Sequence, residues 1–272
     1  MLERLRHNSD LPGAWLRSMR AARELRPLYE QIETYSMFIG HPRSGHTLVG
    51  SMLDAHPEAV IAHELDALRY FQAGFSQAQV FALILEKQRA ESWWSAGYQY
   101  LVPDQWQGRY ETLRVIGDKK GGVSTRRVLQ HPRLLDRVQR RLRVPMRLVA
   151  VVRNPFDNIT TMERYQRGSL RDAVDDYFLL CRGVEQARRT FGESLLILRH
   201  EDLLLDGAGF LRRLCGFLGI EPRDDWLDAC TGMLFDSPHR TRESAAWTDD
   251  LIEHVVRRID EFDFLRDYAF DS

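Results

Sequence analysis

Gly40-His41-Pro42-Arg43-Ser44-Gly45-His46-Thr47 is a glycine-bounded loop set between an apolar run, Tyr35–Ile39, and a helical pattern over Thr47–Ala55. Backbone N–H groups of such a loop and the helix N-terminus behind it converge on a phosphate. A kinase-type loop carries a lysine just before the threonine to reach the β and γ phosphates. Here that slot holds His46, and the fixed cation of the loop is Arg43. The expected ligand therefore has a phosphate but not a triphosphate. A second anion site follows the run Met146–Val152, the strongest β signal in the chain, which ends in Arg153. A Walker-type ATPase ends the comparable strand in an aspartate that holds Mg²⁺. An arginine at the carboxyl end of a central parallel strand faces the ligand crevice of such a sheet, and its planar fork suits a phosphate monoester.

Together these stretches resemble the signature of sulfotransferases that use 3'-phosphoadenosine 5'-phosphosulfate (PAPS). The family's P-R/K-S-G-T-T loop, which holds the 5'-phosphosulfate, matches Pro42 to Thr47 with a departure at His46. Its R-N/D-P-x-D stretch, with a Ser or Thr eight positions after the Arg, holds the 3'-phosphate and matches Arg153-Asn154-Pro155-Phe156-Asp157 and Thr161. The resemblance thus implies that Arg43, Ser44, Gly45, His46, Thr47, Arg153 and Thr161 bind PAPS. Leu53–Glu58 followed by Ile61–Glu64 resembles the branch that contains tyrosylprotein and carbohydrate sulfotransferases, where a Glu at this distance is the catalytic base. Glu64 is the expected base. Asp118-Lys119-Lys120-Gly121 is similar to the family's D-K-T-P turn, with Lys119 on the Lys, and Leu195–Leu203 resembles its R-Y-E-D-L stretch, with His200 in place of the Tyr. The C-terminal R-K-G-x-x-G-D-W of cytosolic relatives is absent. Ser237–Trp247 lies at a similar place, and Arg240 or Arg242 is the expected substitute.

Composition adds weight to Lys119. Of 38 basic residues only Lys87, Lys119 and Lys120 are lysine, a bias that fits a GC-rich, bacterial genome. A compact ammonium suits a bridging oxygen that gains charge in a transition state better than a guanidinium does. The implied reaction is in-line sulfuryl transfer from PAPS to a hydroxyl or amine, with Glu64, its pKa raised by desolvation, taking the proton and no metal required. A divergent P-loop kinase or NTPase and a non-catalytic nucleotide-binding protein are the alternatives. His41, His46 and His63 lack a carboxylate pattern suited to a metal.

To position these residues the chain needs an α/β fold. Strands at Tyr35–Ile39, Ala59–Ala62, Leu113–Gly117, Leu148–Val152 and Leu195–Leu198 alternate with helical stretches such as Leu65–Ala90, Arg126–Leu142 and Leu170–Thr190. This is the pattern of a three-layer α/β/α, P-loop NTPase-like fold with a central parallel sheet. Residues 1–33 read as a helical extension, 34–205 as the PAPS-binding core and 206–272 as a C-terminal helical part of one domain. A leading helix over Pro12–Glu33 would pack a stripe of Leu16, Met19, Ala22, Leu25 and Leu28 or Tyr29 on the core or, in a homodimer, on a second copy. Helices over Leu251–Arg258 and Glu261–Tyr268 close the chain, and Glu201 and Asp202 read as capping a helix.

The aromatic stretch Glu91–Tyr110, with Trp93, Trp94, Tyr98, Tyr100 and Trp106, reads either as an acceptor wall or as a loop fastened down by its own rings. The net charge of −1 gives no support for nucleic-acid or anionic-membrane binding, and no run is long enough to span a bilayer. Three cysteines without metal-ligand spacing suggest reduced thiols and a cytoplasmic setting. The acceptor, whether small molecule, carbohydrate or peptide, is not specified.

Overall fold

A computed structural model describes residues 10–89, 100–165, 168–235 and 237–272. Five strands, β1 (Thr34–Gly40), β2 (Ala59–His63), β3 (Val115–Lys119), β4 (Met146–Val152) and β5 (Leu195–Arg199), form one sheet in the order β2-β3-β1-β4-β5. Every pairing is parallel, with Tyr35 opposite Met146 and His63 opposite Lys119. The inner strands are buried almost throughout, and β1 and β4 are mainly apolar, because helices cover both faces. Alternation then divides β1 between two cores. Tyr35, Met37 and Ile39 pack with Val60, Ile116 and Leu148. Phe38 packs on the other side with Ile61, Val115, Val149 and Trp226.

Among the described residues the helices before β5 are α1 (Leu11–Glu24), α2 (Arg26–Tyr29), α3 (His46–Asp54), α4 (Ala67–Gln72), α5 (Gln77–Arg89), α6 (Gly121–Gln130), α7 (Leu134–Arg141), α8 (Pro155–Tyr165) and α9 (Leu170–Phe191). After β5 come α10 (His200–Leu205), α11 (Gly207–Leu218), α12 (Asp224–Thr231) and α13 (Asp249–Ile259). The longest, α9, begins with a capping box in which Ser169 Oγ accepts from Asp172 N while Asp172 Oδ2 accepts from Ser169 N.

Several elements depart from the sequence reading. The expected leading helix ends at Glu24 and resumes for one turn with Pro27 near its start. Its expected apolar stripe holds only at the end, where Leu25, Leu28 and Tyr29 pack on the core; Leu16 is 71% exposed and Met19 39%, whereas Ala14 and Ser18 are buried. The small face is selected because Gln79 of α5 approaches closely enough to bond Ser18 Oγ and Trp15 O. The helix expected over Arg126–Leu142 is two helices, since Pro132 disfavours a helical His131. Strand β3 runs on through Asp118 and Lys119, so the turn starts at Lys120. Glu261–Tyr268 forms only a 3-10 turn at Asp263–Leu265. Trp93, Trp94 and Tyr98 lie outside the described residues.

Candidate active site

The phosphate-type loop leaves β1 at Gly40, whose N–H donates to Thr125 Oγ1 of α6 at 2.7 Å. Asn158 of α8 donates to Pro42 O, and Ser44 Oγ donates to His41 O. The loop is therefore tied to both flanking helices. Gly45 closes it in the left-handed region, φ +95°, and a Cβ there would stand 2.5 Å from His200 Nδ1. Only glycine lets the chain turn into α3 beneath that imidazole. His46, the first residue of α3, is buried, hydrogen-bonds Ser44 Oγ through Nδ1, and is held neutral with its pKa lowered to about 3 by burial and by Lys119. Arg43, itself at φ +66°, lays its guanidinium 3.5 Å from the centroid of Tyr165.

One cavity of about 730 Å³ opens at the carboxyl ends of β1, β2 and β4. Arg43, Gly45, His46, Thr47, Glu64, Arg153 and Thr161 line it, so seven of the expected residues come together from four separate stretches. Ser44 is buried beneath the loop, and Lys119 reaches the cluster from below through its ammonium group.

The carboxylate centre is built at the β2–α4 junction. Glu64 takes a left-handed backbone, φ +62°, and its N–H donates to Lys119 O. Such a conformation in a non-glycine residue is costly and concentrates at functional sites. Lys119 Nζ donates to Glu64 Oε1 at 2.6 Å and to Thr47 Oγ1 at 3.2 Å, while Lys120 Nζ lies 2.7 Å from Glu64 Oε2. The Lys119 stem crosses α3 where Gly50 has no side chain; a Cβ there would meet Lys119 Cγ at 2.9 Å. Burial alone would raise the Glu64 pKa, but Lys119 and Lys120 outweigh it and bring it to about 2. The expectation of a raised pKa is thus overturned by two ammonium groups. The neighbouring Asp118 does not face the cavity; its carboxylate accepts from Leu65 N and Ala67 N and shapes the turn that carries Glu64.

Arg153 lines the far side. Asp157 is not its partner, because that carboxylate is engaged by Arg242, 2.8 Å away with both side chains 3% exposed. Arg153 Nη2 donates to His239 O, and its buried Nε has no partner among the described residues. Glu201 does not cap a helix as its main role. It accepts from Asn154 N and from Tyr268 Oη, fixing the strand end that carries Arg153. Thr161 donates to Asp157 O one turn earlier and presents its side to the cavity. Arg242 also donates to Ser272 O and does not reach the cavity, and exposed Arg240 is not among the residues lining it. Neither expected C-terminal arginine therefore faces the crevice; His239 and Ser237 do.

Several lining residues were missed. Tyr165 lies one helical turn beyond Thr161 on the same face, a signal the spacing carried. His200, Lys87 and Phe235 have no such local signature. The described part of the aromatic stretch is mostly fastened down: Trp106 N donates to Ala55 O, and Gly108 N to Asp54 Oδ2. Tyr100 alone of its described rings lines the cavity. Among the described residues no group of three or more His, Cys, Asp or Glu is arranged for a metal, and no helix is long and apolar enough to cross a membrane. Cys181, Cys215 and Cys230 are buried free thiols.

A family model described as "Sulfotransferase family" matches residues 37–225, well over half of the chain. The chain belongs to the sulfotransferase family. Its fold is similar to that of the sulfotransferase domain from the Synechococcus PCC 7002 olefin synthase, with 19% identity, TM-score 0.54, and 85% of this chain and 94% of that one covered. It is also similar to sulfotransferase STF9 from Mycobacterium avium, with 13% identity, TM-score 0.52, and 93% and 84% covered. At these identities the likeness speaks for the fold. A search of curated proteins gives no match. The sulfotransferase fold places the loop after β1 and Arg153 after β4 on adjacent strands, the arrangement that lets one ligand touch both.

Proposed function

We propose that the protein transfers a sulfuryl group from PAPS to an acceptor hydroxyl or amine, with Glu64 as general base. The observation that carries this reading is a single cavity bordered by two guanidinium groups that follow adjacent strands and by a carboxylate held between two lysines. The residues present fit the donor. Arg153 faces the cavity with its Nε lacking a partner among the described residues, and α3 begins directly after the Gly45 turn, where the first N–H groups of a helix have no intrahelical partner. In this reading Arg43, Gly45, His46 and Thr47 hold the 5'-phosphosulfate, buried Ser44 shapes their loop, and Arg153 and Thr161 hold the 3'-phosphate. Donor binding belongs to residues 34–205, with helical additions on either side.

When bound, PAPS supplies an activated sulfuryl group. The acceptor oxygen or nitrogen forms the new bond to sulfur as the bond between sulfur and the bridging phosphate oxygen breaks, and the acceptor proton passes to Glu64. Lys119 balances charge on the departing oxygen, a contribution whose loss costs about 3–4 kcal/mol for one preorganised donor. Lys120 and Lys119 hold Glu64 ionised, ready to accept rather than donate.

A thermal-shift panel tests the donor. Adenosine 3',5'-bisphosphate without metal should stabilise the protein selectively. Preference for Mg·ATP would point to a kinase, and binding without turnover of radiolabelled PAPS to a non-catalytic protein.

A further inference from the structure

The chain has three lysines among 38 basic residues, and all three act on one imidazole, that of His63, at one end of the cavity. Lys119 and Lys120 are joined to Glu64, one on each oxygen. Lys87, near the end of α5, lines the same cavity as Glu64, His63 and Lys120, and has no carboxylate partner among the described residues. Next to it Gln88 accepts from His63 N, which ties this end of α5 to the end of β2. His63 stays neutral, its pKa lowered to about 4 first by burial and then by Lys119, Lys87 and Lys120 against the opposing Glu64.

The lining is otherwise poor in acid: Glu64 is its only carboxylate among the described residues, against Arg43, Lys87, Lys120 and Arg153. Position decides which ligand Lys87 serves. Its helix end is tied to β2, whereas Arg153 follows β4, and these strands lie three spacings, about 14 Å, apart in the order β2-β3-β1-β4. Glu64 stands at the Lys87 end, where the acceptor proton is taken. With Glu64 already balanced by two ammonium groups, the Lys87 end carries an uncompensated positive charge beside the attacking atom.

We infer that the acceptor bears an anionic group, a carboxylate or a sulfate or phosphate ester, next to the hydroxyl or amine that is modified, and that Lys87 is the residue that selects it. This rests on the transferase reading of the cavity. A compact ammonium on a flexible stem recognises such a group as a point charge without demanding the bidentate geometry of arginine. Tyr100 and Leu48 add an apolar wall, so the anion is attached to a body with some apolar surface.

The scarcity of lysine supplies the test. Protein labelled with ¹³C at lysine Cε gives three signals, assigned through Lys87→Met, Lys119→Arg and Lys120→Arg. The protein is first saturated with adenosine 3',5'-bisphosphate and then titrated with two matched sets: 4-hydroxybenzoate against 4-hydroxybenzamide, and N-acetylglucosamine 6-sulfate and 6-phosphate against N-acetylglucosamine. The Lys87 signal should move with at least one acid and not with its neutral counterpart, and the set that moves it distinguishes a carboxylate from an ester. Lys87→Met should weaken that acid about tenfold, the loss of one charge-assisted hydrogen bond, while changing bisphosphate affinity less than twofold. A Lys87 signal that responds to bisphosphate alone, to neutral and acidic compounds equally, or to none of the acids overturns the inference. Failure of bisphosphate to bind at all is a separate result: it sinks the donor reading, and the acid titration of the empty protein still reports on Lys87.

Discussion

Glu64 Oε1 lies 2.6 Å from Lys119 Nζ, and that lysine side chain is only 2% exposed. A buried ammonium tied to a half-open carboxylate fixes both partners where strand β3 meets the turn after β2. It also makes the carboxylate a weak base in the resting protein, with a pKa near 2. In the proposed reaction, release of one lysine contact would raise the basicity of Glu64.

Glu64→Gln should therefore lower kcat by about 10²–10⁴-fold while leaving adenosine 3',5'-bisphosphate affinity within a small factor. Turnover of radiolabelled PAPS at saturating acceptor, beside calorimetric binding, checks both. Wild-type turnover in the variant would dismiss Glu64 as the base. Because its pKa falls from 4.5 unfolded to about 2 folded, the stability it contributes is complete above 4.5 and disappears as pH falls through about 2.

The opposite dependence belongs to Asp54, buried at the end of α3, where it accepts from Ile61 N, Gln88 Nε2 and Gly108 N. Burial raises its pKa from 3.8 to about 7 despite those donors. The folded state thus binds its proton more tightly than the unfolded chain. Its contribution is fully present below 3.8 and is lost as pH rises through about 7. Denaturant unfolding between pH 4 and 8 should show a declining slope that is shallower in Asp54→Asn, with the remainder assigned to Asp118, whose pKa burial likewise raises to about 7.

At Gly45 an alanine meets two obstacles, the positive φ and the His200 ring. Gly45→Ala should lose about 1–2 kcal/mol of stability from the backbone alone and most of its bisphosphate-induced thermal shift. Adding His200→Ala removes the clash but not the backbone strain. Full recovery of binding in the double variant would show that the left-handed turn is dispensable.

The two C-terminal arginines should separate cleanly. Arg242→Met breaks a buried pair with Asp157 and should cost about 3–5 kcal/mol in urea unfolding. Arg240→Ala, on the surface, should change stability by less than about 0.5 kcal/mol. Equal effects would contradict the pairing seen here.

Local chemistry in the sequence carried the glycine loop, the apolar runs of β1 and β4, and the Arg-Asn-Pro-x-Asp stretch, because phosphate loops and buried parallel strands are built from near neighbours in the chain. Arg43 and Arg153 stood out for that reason, and so did the alternating α/β order, whereas Glu64 and Lys119 were picked out through the family resemblance. The partners were not. That Asp157 would choose Arg242 over Arg153, that Glu201 would brace Asn154, and that Lys87 would line the same cavity as Glu64 depend on which helix lies over which strand end. The same holds for α1, where Leu16 and Met19 turn outward while Ser18 faces α5 and bonds Gln79. Charge balance around the carboxylate, which sets its pKa, is a sum over groups far apart in sequence, and only the folded sheet brings them within hydrogen-bonding distance.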